Sequence, residues 1–223
     1  MNINDAIKGR RSVRGFLSDP VSKEIIEKII EDSSWAPSGS NIQPWKVYAV
    51  SGLYRDRLCD EVTSGLEKNP NDETPQYQYY PVKWREPYLT RRRETGWGLY
   101  STLGISKGER DKAFKQQLKN YDLFGAPVGL FFTMDNDLEL GSWLDCGMFI
   151  QNIMISSRGF GLETCPQAAW VYHHELVRKV LPIPESEILI CGLAIGYEDK
   201  NEVANTFRPG RQKVNEFTRF LGF

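Results

Sequence analysis

Residues 142–158 constrain the fold more than any other stretch of the chain. At helical spacing, Trp143, Leu144, Cys146, Met148, Phe149, Ile150, Ile153, Met154 and Ile155 spread round most of the circumference. A surface helix keeps a polar stripe for solvent, whereas one that is apolar on nearly every side belongs at the centre of a core or in a subunit interface. Two apolar runs, Val128-Gly129-Leu130-Phe131-Phe132-Thr133-Met134 and residues 188–196, suit strands buried on both faces. Residues 45–50, with β-branched and aromatic content, read as another strand. Between these lie helical patterns. Residues 4–10 carry Ile3 and Ile7 on one face; Ser22 is placed to cap a helix with Ile25, Ile26, Ile29 and Ile30 on its core side, ending near Trp35. Residues 54–68, 91–105, 109–120 and 175–181 are helical as well, and the Gly159-Phe160-Gly161 stretch closes the 142–158 helix with a glycine at positive φ.

With 223 residues, 40 % of them hydrophobic, the chain is long enough for one substantial core, and no Gly/Ser or Pro-repeat linker divides it. We read one domain, 1–223. Twenty-eight Lys and Arg against 29 Asp and Glu leave a formal charge of −1 with no basic tail, which argues against a nucleic-acid surface. No apolar run approaches the roughly 18 residues of a membrane helix, and the polar start Met1-Asn2-Ile3-Asn4-Asp5 lacks the apolar segment of a signal peptide. The expected setting is the cytoplasm. Cys59, Cys146, Cys165 and Cys191 are too scattered for a Cys-x-x-Cys pair or a zinc site and are expected reduced, Cys165 being the only one weighed for reactivity. His173 and His174, adjacent on a helix, diverge by about 100° and do not converge on a metal; both are expected to be exposed. Neither a Rossmann fingerprint nor a Walker A loop is present.

Two short motifs carry chemistry. In Ala36-Pro37-Ser38-Gly39-Ser40-Asn41-Ile42-Gln43-Pro44-Trp45, Pro37 fixes φ, Gly39 lacks a Cβ, and Ser38, Ser40, Asn41 and Gln43 offer hydrogen-bonding groups at short intervals. Such a backbone can lie flat against a planar ligand, although an ordinary turn uses the same residues. In Arg10-Arg11-Ser12-Val13-Arg14, guanidinium forks beside a hydroxyl match a phosphate, although cations are also favoured near the negative end of a helix.

In this order and at this separation, the two motifs resemble the FMN-dependent nitroreductase family, in its nitrobenzoate reductase-like branch. Phe124-Gly125-Ala126-Pro127-Val128, Glu163-Thr164-Cys165-Pro166-Gln167 and the basic segment 207–217 extend the resemblance over nearly the whole chain. It implies an α+β fold, a mixed and mainly antiparallel sheet surrounded by helices, in a homodimer whose two FMN sites lie at the interface and whose 142–158 helix packs against its twin. Arg10, Arg11, Ser12 and either Arg208 or Arg211 are then expected to hold the FMN phosphate from one chain. Pro37, Ser38, Ser40 and Asn41 approach the ring from the other, and Pro166 and Gln167 lie beside the redox-active edge, with a backbone amide near Gln167 or Ala168 donating to flavin N5. The implied reaction is two-electron transfer from NAD(P)H through the flavin to a small aromatic acceptor such as a nitroaromatic, by ping-pong kinetics, with no catalytic side chain and no metal. A quinone, an activated alkene or a halogenated aromatic is an alternative acceptor, and a flavin storage module an alternative role. Residues 69–88, with four prolines among Tyr77, Tyr79, Tyr80, Trp84 and Tyr88, read as a long loop. Its aromatics either stack on substrate or pin the loop to the protein.

Overall fold

The computed structural model describes residues 1–69 and 73–223. In chain order the elements are α1 (Ile3–Gly9), α2 (Lys23–Ser33), β1 (Lys46–Ser51), α3 (Gly52–Lys68), α4 (Tyr88–Thr102), α5 (Arg110–Leu118), β2 (Val128–Asp135), α6 (Leu140–Gly159), β3 (Glu163–Gln167), α7 (His174–Val180), β4 (Glu187–Gly196) and α8 (Val214–Phe217). The four strands form one sheet in the order β1-β2-β4-β3, antiparallel at every pairing. Parallel pairing, expected as a minor part of a mixed sheet, is confined among the described residues to an isolated bridge between Ser12 and Thr164.

Both faces of the sheet are covered, which is why β2 and β4 read as unbroken apolar runs. One face packs α3 and α7 around Phe131, Trp170, Leu58 and Val62. The other packs α2 and α6 around Phe132, Phe149, Ile153 and Ile29. Burying each such side chain stabilises by about 1.5–3 kcal/mol relative to exposure. Helix α2 begins where Ser22 Oγ accepts from Ile25 N at 3.4 Å, and α1 where Asn2 Oδ1 accepts from Asp5 N at 2.9 Å. Gly161, at φ +75°, turns the chain after α6 into β3.

Helix α6 divides its apolar surface. Cys146, Phe149, Ile150, Ile153 and Met154 are buried in this chain's own core, whereas Leu140 and Leu144 are 79 % and 72 % exposed. Ile3 and Ile7 on α1 likewise share a face, but that face is open, at 70 % and 51 % exposure.

One expectation is corrected. His173 is buried, ending a short 3-10 turn, with its ring 5.3 Å from Tyr121 in an edge contact, and His174 is half-buried. An imidazole edge fills an aromatic pocket as readily as it faces water. Of the two alternatives for the 69–88 aromatics, Tyr77 takes the pinning one: β3 pairs with β4 only as far as Gly192, which leaves the edge of β4 before it open. Tyr77 donates its hydroxyl to Ile190 O, and Gln76 Oε1 accepts from Leu189 N at 3.0 Å. Tyr77 also packs edge-on against Trp143 at 4.5 Å, while Tyr79 and Tyr80 remain exposed. Pro70 falls outside the described residues.

Candidate functional site

The segment 10–17 crosses the edge of the sheet and is fixed by backbone bonds along its length. Val13 N donates to Thr164 O at 3.0 Å, Leu17 N to Tyr197 O at 2.9 Å, and Phe16 bridges Glu198. Buried Asn205 completes the frame: its Oδ1 accepts from Arg14 N at 2.6 Å and its Nδ2 donates to Gly15 O at 2.8 Å. Arg158, on the last turn of α6, donates to Asp5 O and Ala6 O at 2.9 and 3.0 Å and pairs with Glu163 at 3.0 Å. Arg10, Arg11 and Arg14 therefore leave a backbone held from three sides.

The frame opens onto a cavity of about 660 Å³ whose wall carries six cationic side chains, Lys8, Arg10, Arg11, Arg14, Arg208 and Arg211, together with Ser12 and no acidic residue. Arg208 and Arg211 both line it. Cations gathered this closely disfavour one another's charge. Burial and then Arg211 push Arg10 below its ordinary value, and burial and then Arg11 do the same to Arg208. Among the described residues, no carboxylate pairs with Arg10, Arg14, Arg208 or Arg211; Arg11 pairs with Glu198. A buried polar atom without a partner lies on this wall too, Arg11 Nε. The crowded guanidiniums and the orphaned Arg11 donor are what a phosphomonoester would satisfy.

The turn at 37–43 is a second, separate feature. Ser40, Asn41 and Gln43 hold left-handed φ values of 49°, 57° and 49°, a conformation that costs about 1–3 kcal/mol per non-glycine residue and collects at functional sites. Asp145 Oδ2 on α6 accepts from Gly39 N at 3.2 Å, and Ser38 Oγ accepts from Gln43 N at 3.0 Å, so the bend is held from inside. Pro37, Ser40 and Asn41 are exposed and Ser38 is half-buried. None of the four lines the arginine cavity. The turn is tied to α6 at Asp145, and the cavity wall reaches the same helix at Gln151, about 9 Å further along at 1.5 Å per residue. One chain thus brings Arg10, Arg11, Ser12, Arg208 and Arg211 together and leaves Pro37, Ser38, Ser40 and Asn41 apart from them.

Pro166 and Gln167 lie on β3, with Gln167 buried and its Nε2 donating to Asn120 O at 2.6 Å, so that side chain faces the protein. Cys165 is buried as well; desolvation outweighs nearby Arg14 and Arg10 and pushes its thiol up to about 11, which disfavours the thiolate that a nucleophile needs. Asn205 and Glu198, which hold the arginine segment, had no signal in the sequence, because their partners lie nearly 190 residues away. Among the described residues, no helix is long and apolar enough to cross a membrane, and no group of three potential metal ligands occurs.

The model of the nitroreductase family matches residues 7–197. The chain belongs to the nitroreductase family. The nitrobenzene nitroreductase of Ectopseudomonas oleovorans is 35 % identical over 219 residues, covering 98 % of this chain and 96 % of that protein. A 4-nitrobenzoate reductase of Nocardioides sp. strain LMS-CY is 37 % identical over 221 residues, covering 96 % and 88 %. The crystal structure of the FMN and NADPH-dependent nitroreductase NfnB from sphigopyxis sp. strain HMH superposes with a TM-score of 0.97 at 33 % identity, with both chains fully covered. The nitroreductase match stops at residue 197, so Arg208 and Arg211 enter the cavity from beyond the region that the family model describes.

Proposed function

We propose that this nitroreductase is an FMN-dependent oxidoreductase that takes two electrons from NAD(P)H and delivers them to a small nitroaromatic acceptor, one substrate following the other in the same pocket. The observation that carries this reading is the arginine cavity, with six cations and no acid on its wall. Arg10, Arg208 and Arg211 would hold the FMN phosphate by charge-assisted bonds, with Arg11 Nε and the Ser12 hydroxyl as further donors. Bound FMN supplies the hydride chemistry itself. The protein's part is to hold the phosphate, to present the strained 37–43 turn to the flat ring, and to exclude water from the pocket.

The site on this reading is completed by a second copy of the chain. Within one chain, none of the four turn residues reaches the cavity wall, while Ile3, Ile7, Leu140, Leu144, Phe217 and Phe220 are left exposed. Apolar surface of this extent marks an interface. A partner seated on α6 would bring its own turn, with Pro37, Ser38, Ser40 and Asn41, to the cavity of the first, giving two sites per dimer. The names of the relatives support the acceptor class, and exposed Tyr79 and Tyr80 give an aromatic ring surfaces to stack on.

The test is anaerobic. Purified protein should be yellow and dimeric by sedimentation, NADPH or NADH should bleach it, and nitrobenzene or 4-nitrobenzoate should restore the colour. A bound flavin that neither nucleotide reduces would end the oxidoreductase reading in favour of storage.

A further inference from the structure

Resting on the phosphate-site reading above, we infer that Glu198 is a built-in counterion to Arg11 that competes with the incoming phosphate and so limits how tightly the cofactor is held. Arg11 Nη2 donates to Glu198 Oε1, and the two side chains are only 12 % and 17 % exposed. Only part of the guanidinium is used. Its Nε is buried without a partner, so one part of the group binds the acid while the other remains available to a ligand.

Glu198 cannot drift away from this pairing. Its backbone is bridged to Phe16, and the neighbouring bonds Leu17 N to Tyr197 O at 2.9 Å and Asp199 N to Gly15 O at 3.0 Å fix it on either side. Nor does it line the cavity; it approaches Arg11 from outside the wall. The acid therefore acts through Arg11 as a positioning residue.

The electrostatic consequence has two signs. In the empty cavity six cations face one another, and Glu198 offsets part of that repulsion. In the loaded cavity a phosphate carrying a charge of about −1.5 to −2 meets an Arg11 already half neutralised, with a second negative charge behind it. At partly buried sites such charges are only weakly screened. Glu198 stabilises the chain without its cofactor and weakens the chain's grip on it.

Glu198→Gln keeps the shape and an acceptor oxygen for Arg11 while removing the charge. Titrating the deflavinated full chain with FMN and with riboflavin, which lacks the phosphate, separates the possibilities. The variant should bind FMN roughly tenfold more tightly, bind riboflavin within twofold of the parent, and melt at a lower temperature when empty. Weaker or unchanged FMN binding overturns the inference, as does an equal shift for riboflavin, which would mark Glu198 as a merely structural support. If the glutamine variant fails to fold, Glu198→Ala, which also removes the charge, is expected to show the same tighter FMN binding with riboflavin unchanged, and the same results would overturn it. A parent chain that binds no FMN removes the underlying function as well, whereas FMN binding without a gain in the variant removes only this inference.

Discussion

The arginine cavity and the 37–43 turn sit at two stations along one helix and are built on opposite principles. The cavity is assembled from afar: residues 8–14 meet 208–211 across a frame supplied by Thr164, Glu198 and Asn205. Its backbone is relaxed and its energy lies in unbalanced charge. The turn is local, seven consecutive residues with one tether to Asp145, and its energy lies in strained dihedral angles. The difference separates two tasks. Gripping a phosphate calls for charge gathered from wherever the fold can supply it, whereas lying flat against a ring calls for a backbone bent locally and held.

The comparison breaks most visibly at the arginines. Each charge-assisted bond lost costs about 1.5–3 kcal/mol, so Arg10→Ala combined with Arg211→Ala should lower FMN affinity by roughly a hundred- to ten-thousandfold while leaving riboflavin affinity nearly intact. Equal losses for both ligands would show that the cavity shapes the whole site and not the phosphate alone. A smaller effect is expected at the other station. Asp145→Ala frees Gly39 N and should cost about 1.5–3 kcal/mol of stability, reduce turnover of a nitroaromatic roughly tenfold, and change FMN affinity only a few-fold. If FMN affinity instead falls as steeply as with the arginine pair, the division of labour is wrong.

The mildest test uses thiols that lie under each station, Cys165 on β3 beside the arginine frame and Cys146 on α6 next to Asp145. Burial pushes them up to about 11 and about 12. The fold accommodates the neutral thiols, so their contribution is full below the unfolded value of about 8.5 and is lost as pH climbs from there through the folded values. Chemical melts should show stability declining above that point, and iodoacetamide at pH 8 should leave both thiols of the native chain unlabelled. Rapid labelling of Cys165 alone would mean that the frame opens while the core stays closed.

The turn was legible because its chemistry is contiguous: the residues that bend it are the residues in the motif, and the Ser22 cap was legible for the same reason. The arginines were legible as a list, but their neutral and acidic supports were not. Glu198 and Asn205 act at 187 and 191 residues from their partners, and no local pattern encodes such a meeting. Periodicity announced apolar faces on α1 and α6 without saying what covers them, and the exposure of Ile3, Ile7 and Leu144 shows that this chain alone does not. The burial of His173 against the Tyr121 ring was not legible, because polarity in the sequence does not say whether a side chain meets water or an aromatic edge. The pinning of Tyr77 depends on an edge of β4 that β3 leaves open before Gly192, a feature that exists only once the sheet has formed.

The meeting of Arg10 with Arg211 also sets a timetable for biogenesis. At about 5–20 residues per second, a ribosome delivers the second arginine on the order of 10–40 s after the first. Until it does, the nascent polypeptide has only half a binding pocket, so loading with FMN waits for the second arginine to arrive and fold against the first.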